Sequence, residues 1–160
     1  MTAITATAPT TTPVRAIDRQ ARRWLQVEGL AVFIAAAAAF GRLGGEYIWL
    51  IPALLIPDLA IAGYLAGPRI GAIVYNLVHN WAIGLVILAG GLALSITPLA
   101  LAGTILIAHT GMDRSVGYGV KFMSGFKDTH LGRIGRQAKA EAVAASASAS
   151  RPETATTVAG

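Results

Sequence analysis

The sequence predicts an all-α fold, a polytopic four-helix transmembrane bundle with both termini in the cytoplasm, and three observations carry that prediction. Of the 160 residues 54% are hydrophobic and the mean hydropathy is +0.59, too apolar for an ordinary soluble domain of this size. Between Ile70 and Ala108 there is no Asp, Glu, Lys or Arg. As one helix that stretch would run about 58 Å, nearly twice the ~30 Å hydrocarbon core of a bilayer, so it folds back on itself. Lys and Arg outnumber the acids 13 to 8, and they flank the apolar segments on one side.

Met1 to Val14 is rich in Thr, Ala and Pro without hydrophobic period, which predicts a disordered tail over residues 1–14. Arg15, Arg19, Arg22 and Arg23 then precede the first apolar span, helix 1 at about 22–40. The basic flank followed by an Ala run has the look of a secretory signal, but three further spans follow, so it reads as an inside anchor. Gly41 to Gly45 is a tight turn. Helix 2, about 47–66, opens with interfacial Tyr47 and Trp49 and contains Pro52 and Pro57, which remove donors and predict a kinked, partly open backbone near Asp58. Helix 3 covers about 70–92. The Ser95-Ile96-Thr97-Pro98 turn starts helix 4, about 97–114. Residues 115–132, rich in Gly, Lys and aromatics, predict a membrane-surface segment, and 133–160 a basic extension fading into a disordered tail.

Charge sets the orientation. The N-terminal flank, Arg69, and the group Arg114, Lys121, Lys127, Arg133, Arg136 and Lys139 lie on one side, while the two opposite loops hold only Arg42. This places the chain in the cytoplasmic (inner) membrane as a multi-pass protein whose partner is the lipid bilayer. The basic residues form no aromatic-interleaved stripe, so nucleic acid is not an expected partner. Oligomerisation is left open. The absence of cysteine removes disulfides, thiolate metal sites and Cys nucleophiles.

Orientation converts positions into depths. From the cytoplasmic helix ends, Glu28 falls ~6 Å deep, Asp58 ~12 Å, Asn76 ~9 Å, His79 ~13 Å and His109 ~7 Å, with Asp113 at the boundary. His109 and Asp113 are i,i+4 and share a face, as do Tyr75 and His79. Ionisable groups facing lipid are costly, so these side chains are expected to converge on one cytoplasm-facing pocket. Imidazoles with carboxylates suit Zn²⁺, Mn²⁺ or Fe²⁺, with Asp58, His79, His109 and Asp113 as ligands and Glu28 as general base or further ligand. Tyr75 or Asn76 would orient a ligand from behind. Lys121, Lys127 and His130 would line the substrate rim and attract an anionic lipid headgroup, with the Gly117 to Gly119 and Ser124 to Phe126 bends folding the segment over the mouth as a lid.

Plainer roles compete with these. His79 can hydrogen-bond a carbonyl exposed by the helix 2 prolines, Glu28 can pair with Arg69, and Asp113 beside Arg114 can be a boundary charge. Asp58 resists such a reading, because no cation sits at similar depth. The residues therefore suit a metal-dependent, hydrolase-like enzyme acting on an amphiphilic substrate. A proton- or ion-handling protein and a structural or accessory subunit are the alternatives.

The motifs Val27-Glu28-Gly29-Leu30, Pro57-Asp58-Leu59, Gly63 to Arg69, Tyr75-Asn76-Leu77-Val78-His79, His109 to Arg114 with Gly117-Tyr118-Gly119, and Gly125 to Gly132 are similar to those of the small bacterial integral membrane proteins grouped as domain of unknown function 4260. The resemblance covers about Trp24 to Gly132, with Met123-Ser124 departing from the usual residues. It implies a compact four-helix membrane protein and assigns no activity.

Overall fold

The computed structural model describes residues 19–134; the tails expected over 1–14 and beyond 134 lie outside the described residues. Five helices dominate: α1 (Arg19–Arg42), α2 (Tyr47–Ala53), α3 (Pro68–Val78), α4 (Trp81–Ala93) and α5 (Thr97–Val116), with a 3₁₀ segment Pro57–Ala66 between α2 and α3. A two-residue antiparallel pair, β1 (Asp128–Thr129) and β2 (Gly132–Arg133), closes the described chain.

Two of the four expected helices are broken, each for a local chemical reason. Pro57 cannot donate to the α-helical ladder, so helix 2 ends as α2 at Ala53, turns, and resumes as the 3₁₀ segment with Pro57 at its start. Helix 3 is interrupted at His79 and Asn80. Asn80 adopts extended backbone and its side chain accepts the Ala82 N–H at 2.8 Å, which makes it the N-cap of a new helix. The two halves, α3 and α4, are bent by 43°.

Gln20–Arg42 and Tyr47–Ala66 are long and apolar enough to cross a membrane, and the bent pair Pro68–Val78 with Trp81–Ala93 makes a third if it is one span. Their outer faces suit lipid: Ile48, Trp49, Leu65 and Val86 are all largely exposed. The expected fourth span, α5, does not meet that test and instead forms the centre. It packs lengthwise against α1 and α4 and buries Ala100, Gly103, Thr104 and the run from Ile107 to Gly111. A Cβ on Gly111 would stand 2.7 Å from the Phe33 nitrogen and 2.9 Å from the Gly29 oxygen, so α1 and α5 touch backbone to backbone. Ala36, Phe40, Leu50, Leu54, Ile107 and Ala108 form the apolar core.

α5 stops at Gly117, whose φ of 94° is left-handed; the Tyr118 N–H bonds back to the Asp113 oxygen at 2.8 Å. This reversal sends residues 118–134 back over the helices. Lys121, Thr129 and Leu131 become buried, and Phe126 meets Tyr64 edge-on at 5.3 Å between centroids. The segment expected at the membrane surface, residues 115–132, forms beyond α5 a flap that meets α3 at Asn76 and the 3₁₀ segment at Tyr64.

Candidate metal centre

The two helix breaks and α5 create the site. The break after Leu54 leaves its carbonyl open, and His109 of α5 donates to it from Nδ1 at 2.6 Å. At the α3 end, His79 folds over its own helix and donates from Nδ1 to the Tyr75 oxygen at 2.9 Å. The carbonyl exposed by the helix 2 prolines is therefore taken by His109, where the sequence had suggested His79.

A carbonyl only accepts, so both Nδ1 atoms carry hydrogen and both Nε2 atoms present lone pairs when neutral. These Nε2 atoms face each other at 2.9 Å. Around the same point Asp58 Oδ1 lies 3.5 Å from His79 Nε2 and 3.6 Å from His109 Nε2, and Asp113 Oδ2 lies 3.7 and 3.9 Å away. Two lone pairs with carboxylate oxygens beside them make a donor set that a cation would suit. Bonds of about 2.0 Å to a common tetrahedral centre put the donors about 3.3 Å apart, within the range seen here. Asp58, His79 and His109 form a group able to hold a metal ion, and Asp113 Oδ2 stands beside it, 3.7 Å from His79 Nε2 and 3.9 Å from His109 Nε2. The imidazoles are 4% and 0% exposed by side chain, Asp113 13% and Asp58 42%, so the set is open toward Asp58.

Tyr75 touches both Asp113 and His79: its hydroxyl donates to Asp113 Oδ2 at 2.8 Å while its ring stacks on His79 at 3.6 Å. Asn76 serves the flap instead. Its side-chain amide donates to the Lys121 oxygen at 2.9 Å and its carbonyl accepts the Lys121 N–H at 2.8 Å.

That latch carries Lys121 inward. Expected on a rim, it is buried, with Nζ 4.1 Å from the Phe126 centroid, 4.9 Å from Tyr75 and 5.8 Å from Tyr118. Burial pushes its ammonium pKa below the ordinary value, against the pull of Asp113 and Asp58. A cavity of 280 Å³ lies here, lined by Asp58, Asp113, Tyr75 and Lys121 on its polar side and by Ile61, Phe126 and Ile134 on its apolar side. Glu28 does not join the cluster. It is exposed and lines a second cavity of 270 Å³ with His79, Trp81, Arg114 and His130. His130 accepts the Val120 N–H at Nδ1, at 2.9 Å. Lys127 is exposed and lines neither cavity.

Sequence reasoning missed the Leu54 carbonyl, the inward position of Lys121 and the aromatic walls Tyr118 and Phe126. Alternation of Tyr118, Lys121 and Phe126 along the glycine-rich segment is the one signal that pointed to them.

Fold and site together define a helical protein with membrane-length apolar helices and a buried histidine–carboxylate cluster at their breaks. The chain belongs to the family described as domain of unknown function (DUF4260), whose model matches residues 22–134. No curated protein and no solved structure matches it.

Proposed function

We propose that the protein is a multi-pass enzyme of the cytoplasmic membrane, hydrolase-like, that uses a divalent metal ion held by Asp58, His79, His109 and Asp113 on an amphiphilic substrate. The observation that carries this reading is the 2.9 Å approach of two Nε2 atoms whose Nδ1 hydrogens are both committed to carbonyls. Zn²⁺, Mn²⁺ or Fe²⁺ fits the donor set, and when bound supplies a water acidic enough to act as a nucleophile near neutral pH. The chain's own residues do the rest. The Leu54 and Tyr75 carbonyls fix both imidazole tautomers, the Tyr75 hydroxyl aims Asp113, and Asp58 closes the set on its open side. The apolar lining of the cavity by Ile61, Phe126 and Ile134 suits an alkyl chain. Clustered Arg and Lys at the N-terminal flank, Arg69 and the C-terminal flank support cytoplasmic termini, which opens the cavity to that side.

Metal content of the purified chain tests the reading: about one ion per chain is expected in the wild type, and loss of it in both His79→Ala and His109→Ala. The same 2.9 Å contact favours a second reading, in which a proton in place of the metal is shared by the imidazoles and passed to Asp58. That protein would carry no metal, and its pH-dependent behaviour would change in Asp58→Asn.

A further inference from the structure

Lys121 has an environment that its surroundings in the chain leave incomplete. Its backbone is held on both sides by Asn76, and its ammonium sits among three aromatic rings, yet among the described residues no carboxylate forms an ion pair with it. Asp58 and Asp113 line the same cavity and attract the ammonium through space, but neither is paired with it, and each sets one oxygen against the imidazoles. Ring faces compensate only part of the cost of burying an ammonium, and the remainder falls when an anion enters. Charge sets the valence of that anion. A divalent ion with the two carboxylates is neutral, so Lys121 leaves the cavity with one positive charge uncompensated.

The cavity shape sets its chemistry. Its volume of 280 Å³ is at the small end of ligand sites, and Ile61, Phe126 and Ile134 make one wall apolar. Ile61 belongs to the 3₁₀ segment, whose Leu59 and Leu65 are exposed, so an alkyl chain leaving the cavity past Ile61 meets more apolar surface. We infer that Lys121 is the recognition point for a singly charged phosphodiester headgroup of an amphiphile, seated in this cavity beside the metal cluster. The inference names the substrate class for the enzyme proposed above and rests on that reading for its placement next to the metal.

The test uses the full chain in neutral detergent, loaded with Zn²⁺ and titrated with short-chain phosphatidylglycerol, phosphatidylcholine of the same chain length, and inorganic phosphate. Saturable binding of phosphatidylglycerol is expected, with phosphatidylcholine weaker because its choline cancels the phosphodiester charge, and inorganic phosphate weaker because it lacks the apolar contacts. Lys121→Met should weaken phosphatidylglycerol by about tenfold or more, the worth of one charge-assisted hydrogen bond, with metal content unchanged, and Lys121→Arg should keep most of the affinity. Lysine acylation followed by mass spectrometry needs no variant: phosphatidylglycerol should slow labelling of Lys121 and leave Lys127 unaffected. Equal binding by wild type and Lys121→Met, equal labelling of Lys121 with and without lipid, or inorganic phosphate binding as tightly as the lipid would overturn the inference. Metal retained with no lipid bound sinks this inference alone; Lys121-dependent binding in a chain that holds no metal sinks the enzyme reading together with the charge balance drawn from it, and leaves Lys121 as an anion contact only.

Discussion

His79 and His109 point their Nε2 atoms at each other across 2.9 Å while each Nδ1 donates to a main-chain carbonyl, Tyr75 and Leu54 respectively. With both Nδ1 hydrogens committed, the two Nε2 lone pairs of neutral imidazoles oppose each other, and a cation between them would relieve that repulsion. Asp58 has its side chain 42% exposed, and its ion pairs among the described residues are with these two imidazoles. Asp58→Asn should therefore leave metal-free stability within about 0.5 kcal/mol of wild type. It should also remove most of the stabilisation by Zn²⁺, which for the wild type reaches about 2.7 kcal/mol at a hundredfold excess over Kd. Thermal unfolding with and without Zn²⁺, and with a chelator, measures both quantities; an equal Zn²⁺ effect in the two proteins would remove Asp58 from the site.

Tyr75 joins two ligands, one through its ring and one through its hydroxyl. Tyr75→Phe keeps the stack on His79 and deletes the bond to Asp113. Losing a buried hydrogen bond to a charged group should cost about 1.5–3 kcal/mol, and metal affinity should fall about tenfold because Asp113 is no longer aimed. Unfolding and Zn²⁺ titration of the same variant check the two numbers. A fall in stability with unchanged affinity would show that Asp113 is a structural acceptor only.

Much of this site was legible in the sequence, because depth along a helix follows from counting residues. Asp58, His79, His109 and Asp113 all fall in the cytoplasmic half by that count, and the structure places one oxygen of each carboxylate 3.5–3.9 Å from the two imidazoles. Azimuth does not follow from counting. Glu28 falls in the same half but neighbours Gly29, which is buried where α1 meets α5, and a turn of about 100° per residue carries Glu28 away from that contact. The break at His79 and Asn80 follows from an Asn side chain capping the next turn, a local bond that competes with apolar periodicity and defeats it here. Lys121 was expected at the substrate rim; hydrogen bonds from a residue far away in sequence, Asn76, hold its backbone where the side chain is buried.

The latch makes its own prediction. Asn76→Leu preserves side-chain volume but leaves the Lys121 N–H and C=O without their partners under a buried residue. The cost should be about 2–3 kcal/mol, read either as global destabilisation or as release of the flap. Limited trypsin digestion distinguishes the two outcomes. Cleavage confined to Lys121 and Lys127, with the helices intact, is the expected pattern, and a digestion profile like the wild type would show that the flap is held by other contacts.

Helix contacts give a paired prediction. Gly111→Ala would push a methyl group against the Phe33 nitrogen and the Gly29 oxygen, both backbone atoms that cannot move aside, and should destabilise by about 1–3 kcal/mol. At Gly90, within α4, an added Cβ meets nothing within 4 Å, so Gly90→Ala should stabilise by about 0.5–1 kcal/mol through helix propensity. Unfolding midpoints of the two alanine variants should shift in opposite directions, and a shift in the same direction would contradict the backbone contact between α1 and α5.

His130 makes the flap sensitive to acid. Its Nδ1 accepts the Val120 N–H at 2.9 Å, which requires that nitrogen to be unprotonated. Burial, with help from the nearby Arg114 charge, pushes the imidazole pKa below its ordinary value of about 6.5. A base with a lowered pKa in the folded state binds fewer protons there than when released. Its stabilising contribution is therefore complete above about pH 6.5 and is lost as the pH falls through the folded value. Amide exchange at Val120 should accelerate on acidification beyond the intrinsic pH trend, while exchange along α5 follows that trend alone. His130→Asn retains an acceptor near the Nδ1 position without a titrating group, and its Val120 protection should be independent of pH over the same range. Retention of full wild-type protection well below the ordinary imidazole value would mean that the flap is held without the neutral ring.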